Sequence, residues 1–377
     1  MSVMSGALRL TPDEDQAELR AFVTRFLDER CGDSEVRRLM ADETGFDPVV
    51  WGQASEQLGL AGLDIPEEYD GSGASFREVA VVMEALGSSL ACLPFYSTAI
   101  LAAGALLASD DEEARKEYLP GIARGSTVAT LAVAEPGGAV APDLHTYAER
   151  EGDHFVLTGT KCFVVDGHTA DLLLVVARAP GGLTLFAVDG AAPGVSRFPM
   201  QTLDPTRKQA RIELVAAGAR PVGNEGSAGE VLDRVRDRAA LAIACEQLGT
   251  ASKALAMSVE YAKTRVQFGR PIGSFQAVKH RCVDMAQRIE AARSATQWGA
   301  ATLAEGSEMS GIAAALATVC SIEAAVFATA ENVQIHGGIG FTWEHPAHLY
   351  FRRARSSALL HGSADEAREL LLQRLGV

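Results

Sequence analysis

Hydrophobic and polar positions change their spacing twice along the chain. In the first third, apolar residues recur at helical spacing, and a turn-rich segment at residues 69–73 separates two helical stretches. Thr11 and Pro12 predict the start of the first helix, with Thr11 as its cap and Pro12 in its first position. Residues 79–109 are apolar on more than one face, so we expect these helices to pack in the interior.

The middle of the chain has the shorter, alternating pattern of β-strands. Four β-rich runs cover residues 154–158, 161–165, 172–177 and 183–188. The pair Gly159-Thr160 and the triplet at residues 180–182 stand at hairpin spacing, too close for helical crossovers between parallel strands. The pattern therefore predicts a small antiparallel sheet or barrel.

Helical spacing returns after residue 231. Three alanine-rich segments of about 30 residues, at 232–265, 274–305 and 310–336, precede a shorter helical pair and predict a bundle. The sequence thus predicts a mostly helical α+β protein with three domains: an N-terminal helical domain at 1–124, a β-domain at 125–225 and a C-terminal helical bundle at 226–377.

Composition and charge narrow the class of partner. The 377 residues carry a formal charge of −15, which argues against nucleic acid and anionic membrane surfaces as partners. The six cysteines are scattered without metal-site spacing, as is usual for a reduced cytoplasmic protein. We see no signal peptide and no apolar run of the ~18 residues that a membrane helix needs. We expect a cytoplasmic enzyme or enzyme subunit.

One candidate ligand site is the segment TRVQFGRPIGSFQ. A helix is predicted to end at Phe268-Gly269 and another to begin near Ser274, which by itself is an ordinary helix junction. Arg265, Phe268 and Gln276 add a cation, an aromatic face and an amide, which suit a pyrophosphate and a planar base.

A second candidate is the glycine-rich segment QIHGGIGF. No strand precedes it and GxGxxG is not satisfied, so a Rossmann nucleotide loop is excluded. It is either a simple helix terminator or a place where Gly337 and Gly338 let the backbone approach a ligand while Gln334 donates a hydrogen bond.

Together the two segments resemble the acyl-CoA dehydrogenase family over essentially the whole chain. The matching patterns are RxxFGxxxxxxQ from Arg265 and QxxGGxG from Gln334, with further matches at Glu135-Pro136-Gly137 and in FRRAR at residues 351–355. The resemblance implies a helical N-terminal domain, a β-domain and a C-terminal four-helix bundle. It also implies that Arg265, Phe268, Gln276, Gln334, Gly337 and Gly338 bind the adenosine and pyrophosphate half of FAD across a subunit interface, in at least a dimer.

The resemblance implies a reaction of lipid metabolism, the first oxidation of β-oxidation. A carboxylate removes the α-proton of an acyl-CoA thioester while the β-hydride passes to the flavin, which gives a trans-2-enoyl-CoA. The α-proton is weakly acidic, so the base must be aligned and the enolate oxygen needs hydrogen-bond donors. An electron-transfer flavoprotein or similar acceptor is implied as the partner that reoxidises the flavin.

The sequence departs from this family where the base should stand. Counting from Gln334, the family's glutamate position falls on His361, and the alternative Glu-Arg position of a second subgroup falls on Ala239-Ala240. Glu246, His361 and the pair Asp237-Arg238 could restore a base. For each, a structural or solvated role is the alternative, and for Glu246 that alternative is pairing with an arginine or lysine.

The β-domain departs as well. The family's TEPxxGSD appears as Ala134-Glu135-Pro136-Gly137-Gly138, and its Trp-Ile-Thr appears as Phe163-Val164-Val165, where valine has no hydroxyl for the flavin. The flavin-ring half of the site is therefore weakened, whereas the adenosine half is complete.

Two hypotheses of different kinds follow. In the first, the chain is a self-sufficient homo-oligomeric enzyme that uses Glu246 or His361. In the second, it is the base-deficient subunit of a heteromeric dehydrogenase of the actinobacterial kind, a heterotetramer with a second acyl-CoA dehydrogenase-like subunit, and is inactive alone. We expect His336, His345 and His348 to be capping or solvated histidines, without a metal.

Overall fold

A computed structural model describes residues 10–138, 143–152 and 154–377. The chain forms two compact units. The helical unit contains the residues up to 36, residues 75–91 and residues 239–377, and the β unit contains residues 37–74 and 92–238.

The α-helices of the described residues stand on either side of a central group of strands in the chain order. They are α1 (Glu14–Arg30), α2 (Asp33–Ala41), α3 (Pro48–Glu56), α4 (Phe76–Ser89), α5 (Ala103–Ala108), α6 (Glu112–Ala123), α7 (Ala228–Thr264), α8 (Gln276–Ala304), α9 (Ser310–His336), α10 (Ala347–Ser357) and α11 (Ala364–Leu375). A π-helical segment, Tyr96–Ala102, leads into α5.

The strands lie between α6 and α8. They are β1 (Ala129–Ala132), β2 (Tyr147–Glu151), β3 (His154–Val165), β4 (Leu172–Ala179), β5 (Gly182–Asp189), β6 (Val195–Pro199), β7 (Gln209–Val222), β8 (Val266–Gln267) and β9 (Arg270–Pro271). The helical, β, helical order predicted from the spacing of apolar residues is confirmed.

The first helix begins two residues later than predicted. Asp13 is its cap, and the Asp13 side chain accepts a hydrogen bond from the Gln16 backbone N–H (3.0 Å) while the Gln16 side chain accepts one from the Asp13 backbone N–H (3.2 Å). The reciprocal capping box satisfies two N–H groups at once, which a cap at Thr11 would not. Thr11 and Pro12 therefore lie outside α1, and the predicted cap was wrong.

The helical unit is built around α9. Helix α8 runs antiparallel to α9, as the ion pair between Arg281 and Glu331 and the Arg288 guanidinium over the Phe327 ring (4.4 Å) show. α10 and α11 also pack on α9. Residues 310–341 are apolar and long enough to span a membrane, but 56% of the most apolar window is buried. In this structure α9 is the core helix of a bundle.

Helices α4 and α7 cross at backbone contact distance. A Cβ atom at Gly87 would collide with the backbone carbonyl oxygen of Glu246, and one at Gly249 would collide with that of Glu84. One glycine on each helix thus removes the side chain that would hold the helices apart. The crossing therefore fixes the positions of Glu84 and Glu246 relative to each other in the helical unit.

The β unit is a nearly closed, mostly antiparallel barrel. β4 pairs with β5, β5 with β7, β7 with β3 and β3 with β2, and a single residue pair joins β2 back to β4. β1 adds a parallel strand beside β4, and β6 pairs with β7. The central antiparallel β-domain predicted from the sequence is confirmed.

One of the two predicted turns in this barrel is correct. Ala179 pairs with Gly182, so Pro180 and Gly181 form the predicted tight turn between β4 and β5. At Gly159 the chain does not turn: β3 runs on to Val165 with an irregular register. Gly159 has φ +154°, and a Cβ there would press on Thr146, so this glycine marks a β-bulge rather than a hairpin.

The glycine crossing gives a stability prediction. Gly249→Ala should lower the free energy of unfolding by about 1–3 kcal/mol, because the methyl group forces α7 away from the Glu84 carbonyl. Gly52→Ala is the control, since a Cβ at Gly52 in the middle of α3 meets nothing within 4 Å. Alanine should stabilise α3 by up to about 1 kcal/mol. Urea unfolding of the three proteins measures both effects, and equal stabilities would contradict the crossing.

Candidate functional site

The first candidate segment forms a short exposed hairpin rather than a plain helix corner. α7 ends at Thr264, not at Phe268 as predicted, and β8 pairs with β9 across the turn at Phe268-Gly269. Both turn residues have positive φ, +55° and +76°. The turn holds the Phe268 ring 90% exposed at the tip of the hairpin. An aromatic face is thus presented outward at a backbone conformation that phenylalanine rarely adopts.

The two sequence motifs lie at the same end of the bundle. α8 and α9 are antiparallel, so Gln276 at the start of α8 and Gln334 in the last turn of α9 share this end. The Tyr261 and His336 rings stack at 4.3 Å, which places the end of α7, and with it Arg265, against the end of α9. The structure therefore brings together the residues that the sequence assigned to the adenosine half of FAD.

The glycines at the end of α9 leave bare backbone facing open space. Gly337 ends the helix with φ +63°, a conformation that favours glycine. Gly338 has no such φ, and a Cβ at either residue would meet no atom of the described chain within 4 Å. Nothing in the described chain therefore requires glycine at 338, whereas a ligand lying on this backbone would require it. The residues present fit a bound dinucleotide cofactor.

A buried polar network supports this end of α9. The His336 ring lies between the rings of Tyr261 and His345, and its Nδ1 lies 2.8 Å from the Asn332 backbone oxygen. Ser258 Oγ donates to Asn332 Oδ1 (2.9 Å). Burial lowers the pKa of His336, against the opposing effect of its hydrogen bond, so the ring is neutral at pH 7 and packs as an aromatic side chain.

His345 caps a helix. Its Nδ1 accepts a hydrogen bond from the Ala347 backbone N–H at the start of α10 (3.2 Å), which confirms the capping interpretation for this residue. Among the described residues, no group of three histidine, cysteine or acidic side chains is placed to hold a metal ion.

The predicted base Glu246 lies in a buried ion pair. The residue is 2% exposed, as the alanine-rich face of α7 predicted, and its carboxylate contacts the Arg353 guanidinium of α10. Both side chains are only 3% exposed. This is the alternative that the sequence left open for Glu246, and breaking such a buried pair costs about 3–5 kcal/mol.

The other two candidate bases have different surroundings. Arg238 forms an ion pair with Asp64 (2.5 Å) inside the β unit, so the Asp237-Arg238 pair contributes its arginine to a structural contact. His361 lies half-buried in the turn between α10 and α11, beside Gly362 with φ +96°. Ser363 then caps α11, accepting a hydrogen bond from the Glu366 backbone N–H (3.2 Å).

In the β unit, Glu135 anchors the segment that departs from the family pattern. Its carboxylate accepts hydrogen bonds from Lys161 Nζ (2.8 Å) and from the backbone N–H groups of His145 (2.6 Å) and Thr146 (2.8 Å). Burial alone would raise the pKa of Glu135, but these donors together lower it to about 2. On either side of this anchor, the Ala134 carbonyl oxygen accepts a hydrogen bond from the Cys162 N–H (2.8 Å) and the Gly138 N–H donates to the Glu135 carbonyl oxygen (3.0 Å).

The segment that ends at Val165 is likewise held by buried hydroxyl groups. Thr130 Oγ1 donates to the Val165 carbonyl oxygen (2.6 Å), and Ser97 Oγ donates to the Asp166 carboxylate (2.6 Å). Phe163 bulges out of β3 with φ +57° and is half-exposed. Val165 has no hydroxyl group to offer a flavin, but hydrogen bonds hold the backbone around it in place.

A helical bundle, an antiparallel β-barrel and a cation, aromatic ring and bare glycine backbone at one bundle end are the features expected from the resemblance to FAD-binding dehydrogenases. Models of the acyl-CoA dehydrogenase N-terminal, middle and C-terminal domains match residues 13–126, 130–216 and 231–376. The chain therefore belongs to the acyl-CoA dehydrogenase family, whose members are FAD-dependent oxidoreductases.

Individual relatives agree over almost the whole length. The chain is 37% identical over 358 residues to acyl-CoA dehydrogenase IpdE2 of Mycobacterium tuberculosis, a match that covers 95% of this chain and 96% of the relative. It is similar to a chain of the ChsE4-ChsE5 complex of the same species, with 30% identity, a TM-score of 0.89 and coverage of 98% and 99%. It is also similar to a variant of the Tcur3481-Tcur3483 steroid ACAD, with 31% identity, a TM-score of 0.87 and coverage of 96% and 98%.

Sequence reasoning missed Arg353 as a site residue. In the sequence, the motif FRRAR counts only as a match to the family pattern. Yet Arg353 stands at helical spacing from the buried residues Leu349 and Tyr350, which places its guanidinium on the inner face of α10. A buried arginine requires a carboxylate partner, and this spacing was the signal that could have found it.

The Glu135 pKa predicts a specific loss of stability in acid. A folded-state pKa of about 2, against an ordinary 4.5, contributes about 3 kcal/mol that is fully present above pH 4.5 and lost as the pH falls toward 2. In Glu135→Gln, the free energy of unfolding should be lower at pH 7 and should fall less steeply between pH 5 and pH 3. Urea titrations at each pH measure the slope, with the exposed Glu308→Gln as a charge control. If the free energy of unfolding of Glu135→Gln falls with pH as steeply as that of the wild type, Glu135 is not the source of the acid sensitivity.

Proposed function

We propose that this chain is one subunit of a heteromeric acyl-CoA dehydrogenase that converts an acyl-CoA to a trans-2-enoyl-CoA. In this assembly a second acyl-CoA dehydrogenase-like subunit carries the carboxylate base, and this chain completes the FAD site. The observation that carries the proposal is the state of Glu246 and of the position at which the family carries its base. Glu246 is in a buried ion pair with Arg353, and the family's base position holds His361.

The adenosine half of FAD would be held by residues at the bundle end. The Arg265 guanidinium suits the pyrophosphate, the exposed Phe268 ring suits a planar base, and Gln276 and Gln334 offer amide donors. The open backbone at Gly337-Gly338 allows close approach. All of these side chains point outward or lie at the surface, which suits a cofactor shared with a neighbouring subunit.

FAD, when bound, supplies the oxidant that accepts the hydride from the β-carbon. The contribution of this chain to the acyl-CoA is electrostatic. The His361 backbone N–H can donate to the thioester carbonyl and so stabilise the negative charge that develops on its oxygen. Gly362, with φ +96°, allows the turn in which this N–H lies. The α-proton then passes to the carboxylate of the second subunit.

Support for a heteromer and for its substrate class comes from the relatives. Two of the similar structures are named for a pair of chains, and one of them is described as a steroid ACAD. We therefore propose a bulky, steroid-type acyl-CoA as the first substrate to test. An electron-transfer flavoprotein or similar acceptor would reoxidise the flavin. The absence of disulfides among the six cysteines, all of which lie in the described residues, suits a cytoplasmic location.

The competing function is a self-sufficient homo-oligomer. His361 favours it, because a neutral imidazole at the base position is able to accept the α-proton itself. Glu246 could act only after leaving Arg353. Purifying the chain alone and with a candidate partner, then counting FAD per subunit and following flavin bleaching by acyl-CoA, separates the two. Rapid turnover by the chain alone would overturn the heteromer.

The FAD placement predicts a loss of affinity on Arg265→Ala. Loss of a charge-assisted pyrophosphate contact should weaken FAD binding by about 10- to 100-fold, or about 1.5–3 kcal/mol. Lys253→Ala removes the same charge from an exposed position in the middle of α7 and should leave the affinity unchanged. Titration of the apoprotein assembly with FAD, followed by flavin fluorescence, measures both variants. Equal affinities would mean that Arg265 does not contact the cofactor.

The missing carboxylate at the base position predicts a gain of function. His361→Glu restores a carboxylate to the turn, and it should create or raise acyl-CoA-dependent flavin bleaching in the isolated FAD-loaded protein by at least about tenfold. His361→Gln, which cannot accept the proton, is the matched control. If His361→Glu binds FAD but stays inactive, the departures at Ala134, Gly138 and Val165 become the better explanation of the lost activity.

A further inference from the structure

Helix α10 is the short link between the two parts of the site that lie in the helical unit. On its N-terminal side is the glycine segment Gly337–Phe341, and on its C-terminal side is the turn that carries His361. α10 has only 11 residues. α10 is therefore connected by short stretches of chain to both segments, and its placement can influence both.

Two buried polar contacts hold α10 in place. Tyr350 Oη donates to the Ser88 backbone oxygen just after the α4 crossing (2.8 Å), and Arg353 pairs with Glu246 on α7. The two contacts lie one turn apart on the inner face of α10. Gly87 brings the α4 backbone directly onto the Glu246 carbonyl, so the α7 end of the ion pair cannot move freely.

We propose that Glu246 and Arg353 are a positioning pair, which sets the place of α10 and through it of the Gly337–Phe341 segment and the His361 turn. The pair acts as a unit: the carboxylate serves to hold the guanidinium and takes no proton from the substrate. This inference rests on the proposed function only for its effect on FAD and acyl-CoA. The part of the inference that concerns the position of α10 does not depend on that function.

The test uses two single and two double variants of the full chain. Glu246→Gln and Arg353→Met each remove one charge of the buried pair and keep the other. The double variant Glu246→Arg with Arg353→Glu reverses the pair, and Glu246→Leu with Arg353→Met replaces it by apolar side chains, a change that proteins often tolerate. Amide hydrogen exchange of residues 337–341 and 358–363 measures how firmly the two segments beside α10 are held. The affinity for FAD measures the effect on the cofactor site.

In each single variant, exchange in both segments should accelerate by at least about tenfold, and the FAD dissociation constant should rise by about tenfold. At least one double variant should restore both quantities to within about threefold of the wild type. Exchange in α3, which belongs to the β unit, should stay unchanged. In the assembled enzyme, acyl-CoA-dependent flavin bleaching should recover in the same double variant.

The opposite results overturn the proposal. If the single variants leave exchange in residues 358–363 unchanged, the pair does not position the turn. If a double variant recovers exchange and FAD affinity but has no bleaching activity in an assembly where the wild type is active, Glu246 is itself the base. Should the single variants not fold, the two double variants decide between these outcomes. If the wild type binds no FAD, the proposed function fails, while the exchange measurement still tests the position of α10.

Discussion

The close crossing of α4 and α7 is the constraint on which the helical unit depends. Gly87 and Gly249 let the two backbones touch, and this contact fixes where the carboxylates of Glu84 and Glu246 lie. Glu84 then receives Arg20 and Arg293, each at 2.8 Å, and Glu246 receives Arg353. Helices α1, α8 and α10 are thus joined to the crossing by charged contacts whose positions the glycines set.

Buried ion pairs recur at the places where precise geometry is needed. Removing two charges from water is costly, so such pairs contribute little net stability compared with apolar packing. They do, however, penalise every arrangement in which one partner is left alone. Glu246 with Arg353 in the helical unit and Glu135 with Lys161 in the β unit are both buried, and both lie near segments that the resemblance assigns to ligand binding. Specific placement is the role that best fits their cost.

The proposed site combines an ordered backbone framework with side chains that differ from the family pattern at the reactive positions. The bundle end retains the cation, aromatic ring, amides and bare glycines that suit the adenosine half of FAD. The Val165 backbone is held by Thr130, although the side chain lacks the family's hydroxyl. The His361 turn retains its backbone N–H and the permissive Gly362, although the carboxylate is gone. Loss of reactive side chains from a maintained backbone is what a subunit that serves a partner's active site would show.

The sequence by itself determined the order of the elements and the family, because both rest on local patterns. α9 was predicted with its bounds, and the fingerprints at Arg265 and Gln334 stand within short segments. Tertiary structure alone decided the state of Glu246, whose partner is 107 residues away and is brought to it by the packing of α10 on the unit. It also decided that Gly159 is a bulge, because that depends on the approach of Thr146 beside a neighbouring strand. Helical spacing is a property of the local chain, whereas the partner of a buried charge is set by packing between distant segments.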